Sequence, residues 1–411
     1  MMARRGTVVR RSRIEWCARI GIAFVALVSA YAAVAHTFAY TIRAAAPAQA
    51  HELAPKDGRL TGLLAQQMSG PRAAPADRSR ADVLADLALR QDPTAIAAVV
   101  ALGVNAEVRG DIGRARHMFA YANILSRRDL PTRLWAIEDA IGRGDISGAL
   151  RQYDIALRTS RTAPNLLFPI LGSAIADPAI RTALTARLRT RPTWAGPFIV
   201  YLADDGKDTS AAALLFRSIA RAGLPLPDGP RAVLLRRLAE EGKFDDAWNM
   251  YAAVTPGAYR RWSRDPHFTA KSDQPSVFDW TPVEVDGTTA VFQRGDNGNV
   301  FDFAVPSGMG GPILRQVQLL PPGEYSIEGR STGIDQIDSA LPYWVLSCEN
   351  GTEIGRVTVT SSNRAGGRFA GGLNVPARCP VQYLTLVVRP SERVEGVVGQ
   401  IKTVILRPAR I

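Results

Sequence analysis

Nucleophile–base chemistry is short of parts in this chain. Its 411 residues include three cysteines and four histidines. His36 lies in an apolar run and His51 just after it, which leaves His117 and His267 for the folded regions. Two imidazoles so far apart in sequence do not readily assemble a triad or a zinc site. The HExxH, GxSxG, P-loop and GxGxxG patterns are absent, so nothing points to a metallopeptidase, an α/β-hydrolase, a phosphate cradle or a dinucleotide fold. Paired acids do occur, at Asp204-Asp205, Glu240-Glu241 and Asp245-Asp246. Each falls at a helix start or hairpin turn, where capping explains it. No catalytic residue, metal or cofactor is expected.

Long hydrophobic runs are equally scarce, and one stands out. Ile20 to Ile42 holds 23 residues without a formal charge, and about 20 apolar residues span a bilayer as a helix. Upstream stand Arg4, Arg5, Arg10, Arg11, Arg13 and Arg19 against Glu15. A basic flank stays cytoplasmic, so the bulk of the chain is expected to cross the inner membrane. Ala48-Gln49-Ala50 offers a small-x-small cleavage site, but the run exceeds the 7–15 residues or so of a signal h-region. An uncleaved anchor is therefore preferred. Cys17, at its cytoplasmic edge, reads as a reduced, unpaired thiol.

Charge is unevenly placed. Residues 43–272 carry 32 basic and 23 acidic side chains, and residues 273–411 carry 12 and 14. A basic surface often means nucleic acid. The anchor removes this one from the cytoplasm, which leaves an anionic glycan, a lipid headgroup or an acidic protein as partner and excludes nucleic acid. Cys348 and Cys379 both follow the anchor, in the oxidising compartment, where a structural disulfide is expected.

Residues 43–80, rich in Ala, Pro, Gly and Arg, read as a tether, with one short helix at Leu60–Met68. Beyond them a helical pattern repeats. Arg109-Gly110-Asp111 recurs as Arg143-Gly144-Asp145, 34 residues later. Ala115 and Ala149, Phe119 and Tyr153, Ala122 and Ala156 follow the two glycines at matching offsets. Gly206 and Gly242 head looser copies, and a degenerate one centres on Asp177-Pro178. The glycine ends one helix where φ must be positive, the aspartate caps the next, and the alanine lets two helices approach. This period and these offsets resemble the tetratricopeptide repeat, over roughly residues 83–256. Val99 and Arg133 stand where the repeat's early large residue belongs, and Pro131 and Pro164 are displaced closing prolines. The resemblance implies a concave surface for a protein or peptide partner. Arg114, Arg116, Arg127 and Arg128 are the candidate basic groove on its first hairpin.

After Trp262 short alternating runs appear between Gly, Pro and Asn, predicting a jelly-roll-like β-sandwich of about nine strands. Ten candidate strands begin at Val277–Val285 and end at Gly399–Leu406. The phrases Phe278-Asp279-Trp280, LLPPGEYSIEG and PYWVLSC resemble the carbohydrate-binding-module type of jelly roll. They are also similar to C-terminal domains of membrane-anchored repeat proteins of some α-proteobacteria, linked to envelope or exopolysaccharide assembly. That resemblance implies a sugar stacked on Trp280, Tyr343 or Trp344, with Asp279, Glu349 and Asn350 for its hydroxyls. Asp296-Asn297-Gly298-Asn299 with Asp302 is a carboxylate–amide cluster of a kind that can hold Ca²⁺, but it does not match the spacing of an EF-hand, and a hairpin turn is the preferred reading.

The expected architecture is multidomain, α then β. It comprises a cytoplasmic tail (1–19), an anchor (20–42), a linker (43–80), a helical-repeat domain (81–262) and a jelly-roll-like sandwich (273–411). The expected function is non-catalytic binding and scaffolding in the periplasm, with a protein at the repeats and a polysaccharide at the sandwich. The alternative is a glycan-active enzyme that uses the sandwich for recognition.

Overall fold

The apolar run folds as one long helix, α1 (Arg13–Ile42). A computed structural model describes residues 13–270, 274–295 and 298–409. Arg4, Arg5, Arg10 and Arg11 of the basic tail and the turn residues Asp296 and Asn297 lie outside them. Most of α1 is exposed, as a helix long and apolar enough to cross a membrane would be. One side of its last two turns is covered. Ala39 is fully buried with Ala50 and Leu60. Tyr40 donates to Asp57 at 2.9 Å, and His36 Nε2 lies 3.8 Å from the same carboxylate.

This contact corrects the reading of residues 43–80 as a tether. They hold α2 (Pro47–Leu53) and α3 (Gly58–Met68), the second capped by Asp57 through the amides of Arg59 and Leu60. The Ala48-Gln49-Ala50 triplet lies inside α2. From α3 the core continues into α4 (Pro75–Gln91) and α5 (Ile96–Val108) through Ala65, Ala81, Ala85, Ala88, Ala98 and Ala101, all fully buried. A composition that suggests a flexible linker here serves close helix packing, because small side chains let backbones approach.

The repeat signature is realised as written. Gly110 and Gly144 adopt φ of 79° and 71°. Asp111 caps α6 (Ile112–Leu125) through the Arg114 amide at 3.0 Å, and Asp145 caps α8 (Ile146–Thr159) through Gly148 at 2.7 Å. The matched Ala, aromatic and Ala positions are buried in both copies. α5 packs on α6, and α7 (Leu130–Gly142) on α8. Arg133 fills a buried position on α7, its guanidinium donating to Gln152 at 2.8 Å, to the Arg127 carbonyl and to Asn123. Burial pulls its pKa down.

The chain forms two compact units, Met1–Ala163 and Pro164–Ile411, a division that falls inside the expected repeat domain. The second unit contains α9 (Ala163–Ala174), α10 (Pro178–Leu188), α11 (Ala195–Asp204), α12 (Thr209–Arg221), α13 (Asp228–Glu240) and α14 (Phe244–Val254). Gly242 keeps the left-handed turn at φ 71°, whereas α12 starts from the Asp208 cap rather than from Gly206. Asp177 caps α10, with Pro178 in its first turn.

The strands are β1 (Thr281–Pro282), β2 (Thr289–Gly295), β3 (Gly298–Val305), β4 (Gly311–Gln318), β5 (Gly323–Thr332), β6 (Tyr343–Cys348), β7 (Glu353–Thr358), β8 (Arg368–Val375), β9 (Gln382–Val388) and β10 (Val397–Pro408). They form two antiparallel five-stranded sheets, ordered β1-β4-β9-β6-β7 and β2-β3-β10-β5-β8. The expected strand Val277–Val285 shrinks to the two residues of β1, at a sheet edge where Pro282 costs no ladder bond. Phe301, Phe303, Ile327, Trp344, Leu384, Leu386, Ile401 and Val404 meet between the sheets. Cys348, ending β6, is bonded to Cys379, ahead of β9.

The segment before the sandwich is tied into it. Ser263 exchanges two hydrogen bonds with Leu406, and the Val404 amide donates to the Pro266 carbonyl. Arg264 is buried, donating to Gln316 through its amide and to Gln318, Phe278 and Val317 through its guanidinium. Its charged group also lies over the rings of Trp248 and Phe278. Burial draws its pKa down to about 10. This pairing carries His267 alongside β10.

Candidate functional site: a polar groove on the second sheet

Alternation sends Phe301 and Phe303 of β3 inward and Asp302 outward. The same rule sends Ile401 inward and Gln400 outward on β10, and Ser331 inward and Thr332 outward on β5. Register then aligns the outward residues. Asp302 stands opposite Gln400, and Gln400 opposite Thr332, in one row across three strands. Two residues further along, Thr403 stands opposite Arg330, and Arg330 opposite Arg368. Between the rows, β10 shifts register from Ile401 to Thr403, and Lys402 and Thr403 both line the same side. Such a bulge re-aims side chains at the cost of one ladder step.

All of these outward residues but Arg368 line an open groove of about 860 Å³ together with His267, Thr269, Asn299 and Gly333. It adjoins a second depression lined by His267, Glu328, Arg330, Arg368 and Thr403. Asn299 is committed, donating to the Phe268 carbonyl at 2.9 Å, and Glu328 is paired with Arg407 at 2.6 Å. Among the described residues, the side chains of Asp302, Gln400, Thr332, Arg330 and Arg368 have no hydrogen-bond or ion-pair partner. The groove and the depression beside it therefore offer an acceptor, an amide, a hydroxyl and two guanidinium groups to a ligand. Phe303, also at the groove, is buried, which leaves the exposed His267 as the ring at its edge. No group of three His, Cys, Asp or Glu side chains suited to a metal occurs among the described residues.

No family model and no curated protein matches the chain. Solved structures resemble parts of it. The enzymatically active domain of tailspike protein 4 of bacteriophage CBA120 is 15% identical over 32% of this chain, which spans 20% of that one, with a TM-score of 0.23. CsCBM6-3 from Clostridium stercorarium, solved with cellobiose, is 11% identical over 32% of this chain and 95% of its own, with a TM-score of 0.21. PilW, a type IV pilus biogenesis factor, is 15% identical over 49% of this chain and 93% of its own, with a TM-score of 0.26. At these scores the likeness says nothing of function.

The residues singled out from sequence lie elsewhere. Trp344 is 1% exposed and Trp280 4%, with ring centroids 5.5 Å apart in the core. Trp344 has no ring face free for a pyranose, and Trp280 meets only a small hollow beside Phe268 and Phe292. Tyr343 lies on the outer face of the first sheet, its ring flanked by Arg356 at 4.0 Å and Arg389 at 4.8 Å. Asp279 is occupied by Ser276 and Tyr251, and Asn350 accepts from the Thr352 amide in a turn. The four arginines of the first hairpin do not converge. Arg114 and Arg116 sit at the start of α6, Arg127 and Arg128 beyond its end, about 20 Å apart at the helical rise. Arg116 is paired with Asp139 at 2.9 Å. The groove residues escaped sequence reading because an outward polar position on a strand looks like any solvated face. Register alone makes them neighbours.

Proposed function

We propose that this is a non-catalytic, membrane-anchored binding and scaffold protein. α1 holds it in a bacterial inner membrane with the bulk on the periplasmic side. The helical hairpins receive a protein partner, and the sandwich receives an envelope polysaccharide. The observation that carries the sugar reading is the Asp302–Gln400–Thr332 row, three unpartnered polar side chains in register on an open sheet face. Polyhydroxylated chains are held by such convergent donors and acceptors. The non-catalytic reading is supported by the carboxylates of the groove. Glu328 is held by Arg407, which leaves Asp302 as the free acid among the described groove residues. Two-carboxylate glycoside hydrolysis needs a facing pair.

The test is glycan-array binding by the full chain in detergent micelles, with Gln400→Ala as control. Binding that disappears in the folded variant supports the reading. A wild-type protein that captures no glycan ends it for the sandwich, and pulldown on the helical hairpins becomes the next step.

A further inference from the structure

Arg330 and Arg368 stand directly opposite each other on β5 and β8. Like charges at such a pair destabilise a sheet. Both side chains are exposed, and neither has an anionic partner among the described residues. Lys402 adds a third cation, brought to this face by the bulge in β10. Against them stands Asp302, since Glu328 is already held by Arg407. An arrangement that repels itself when empty is relieved by an anion lying between the two guanidinium groups, each of which can grip a carboxylate with two N–H bonds.

Resting on the polysaccharide reading above, we infer that the groove takes an acidic polysaccharide, one whose repeating sugars carry carboxylates. Arg330 and Arg368 hold the carboxylate, with Lys402 beside them. The Asp302–Gln400–Thr332 row holds ring hydroxyls. The two rows are two residues apart along β5, about 6.8 Å at the rise of a strand, a spacing on the scale of one sugar ring. Asp302 decides between this ligand and a bare polyanion such as a nucleic acid. A free carboxylate repels a chain that offers only negative charge, but accepts hydrogen bonds from a chain that also offers hydroxyls.

The experiment measures binding of the full chain in detergent micelles to polygalacturonate, alginate and hyaluronate, to the carboxyl-reduced form of each, and to dextran sulfate. The variants are Arg330→Gln with Arg368→Gln, and Asp302→Asn; all three positions are on an open sheet face, and thermal melting checks that the fold survives. At least one uronate polymer should bind, and its reduced form should bind about tenfold or more weakly, the loss expected when a charge-assisted pair is removed. The double variant should lose a similar factor. Asp302→Asn should weaken the uronate polymer while leaving dextran sulfate unchanged or tighter. If Asp302→Asn tightens the uronate polymer as well, the groove is a general polyanion surface and the inference fails. Equal binding of reduced and native polymers, indifferent to the arginines, overturns the acidic ligand and leaves the glycan reading intact. Failure of every polymer, reduced or native, removes both.

Discussion

Between α3 and α5, Gly62 faces Ala98, and a β-carbon on Gly62 would come within 3.0 Å of the Ala98 backbone nitrogen. Between the two sheets, Trp280 and Trp344 pack ring to ring, surrounded by Phe301, Ile327, Leu346 and Leu386. The core around α3, α4 and α5 is seven alanines and Leu102, and the sandwich core has no alanine among its fully buried described members. The first region gains cohesion from backbone proximity and many short contacts, the second from the burial of large apolar surfaces. The two should fail in opposite ways, one when side chains are enlarged and the other when they are cut back.

The largest effect is expected in the sandwich. Trp344→Ala should cost about 3–5 kcal/mol, read as an earlier urea transition in near-ultraviolet circular dichroism. A loss below about 1 kcal/mol would mean that the core closes over the gap, and the contrast would fail. Next comes the helical region. Ala98→Leu should cost about 1–3 kcal/mol through overpacking against Gly62, whereas Leu at an open helical position should be neutral by the same measurement. The smallest effect tests the hairpin turns. Asp145→Ala should remove the cap on Gly148 and cost about 1 kcal/mol, seen as a small downward shift of the first unit's thermal midpoint with the sandwich transition unmoved.

Much of this fold is legible in the residues themselves. Gly110, Asp111, Gly144 and Asp145 have local jobs, a left-handed φ and a cap, and local jobs leave a fixed spacing in the sequence. The strands after Thr289 are legible for the same reason, because alternation is local. Residues 43–80 are not. Alanine and glycine look alike in a flexible tether and in a tight helix contact, and only the partner surface, Ala85, Ala88 and Ala98, distinguishes them. Trp344 misleads in the opposite direction. Its alternation marks a strand but not which face is covered. Arg330 and Arg368 lie 38 positions apart in sequence and become neighbours through the antiparallel pairing of β5 with β8. No short pattern records that.

The docked end of α1 has a mechanical consequence. Asp57 grips Tyr40 and stands beside His36, and a carboxylate is expensive inside hydrocarbon. In the membrane reading proposed above, the lipid boundary lies short of this carboxylate. By the same rule Glu15 and Arg19 stay at the far boundary, and the uncharged stretch between, residues 20–35, is about 24 Å at the helical rise, a short fit to a bilayer core of about 30 Å. On the side of Ala39 and Tyr40 the final turns belong to the protein, while Phe38 and Thr41 stay exposed. Because Ala39 packs with Ala50 and Leu60, a tilt of α1 about that contact would carry α2 and α3 with it.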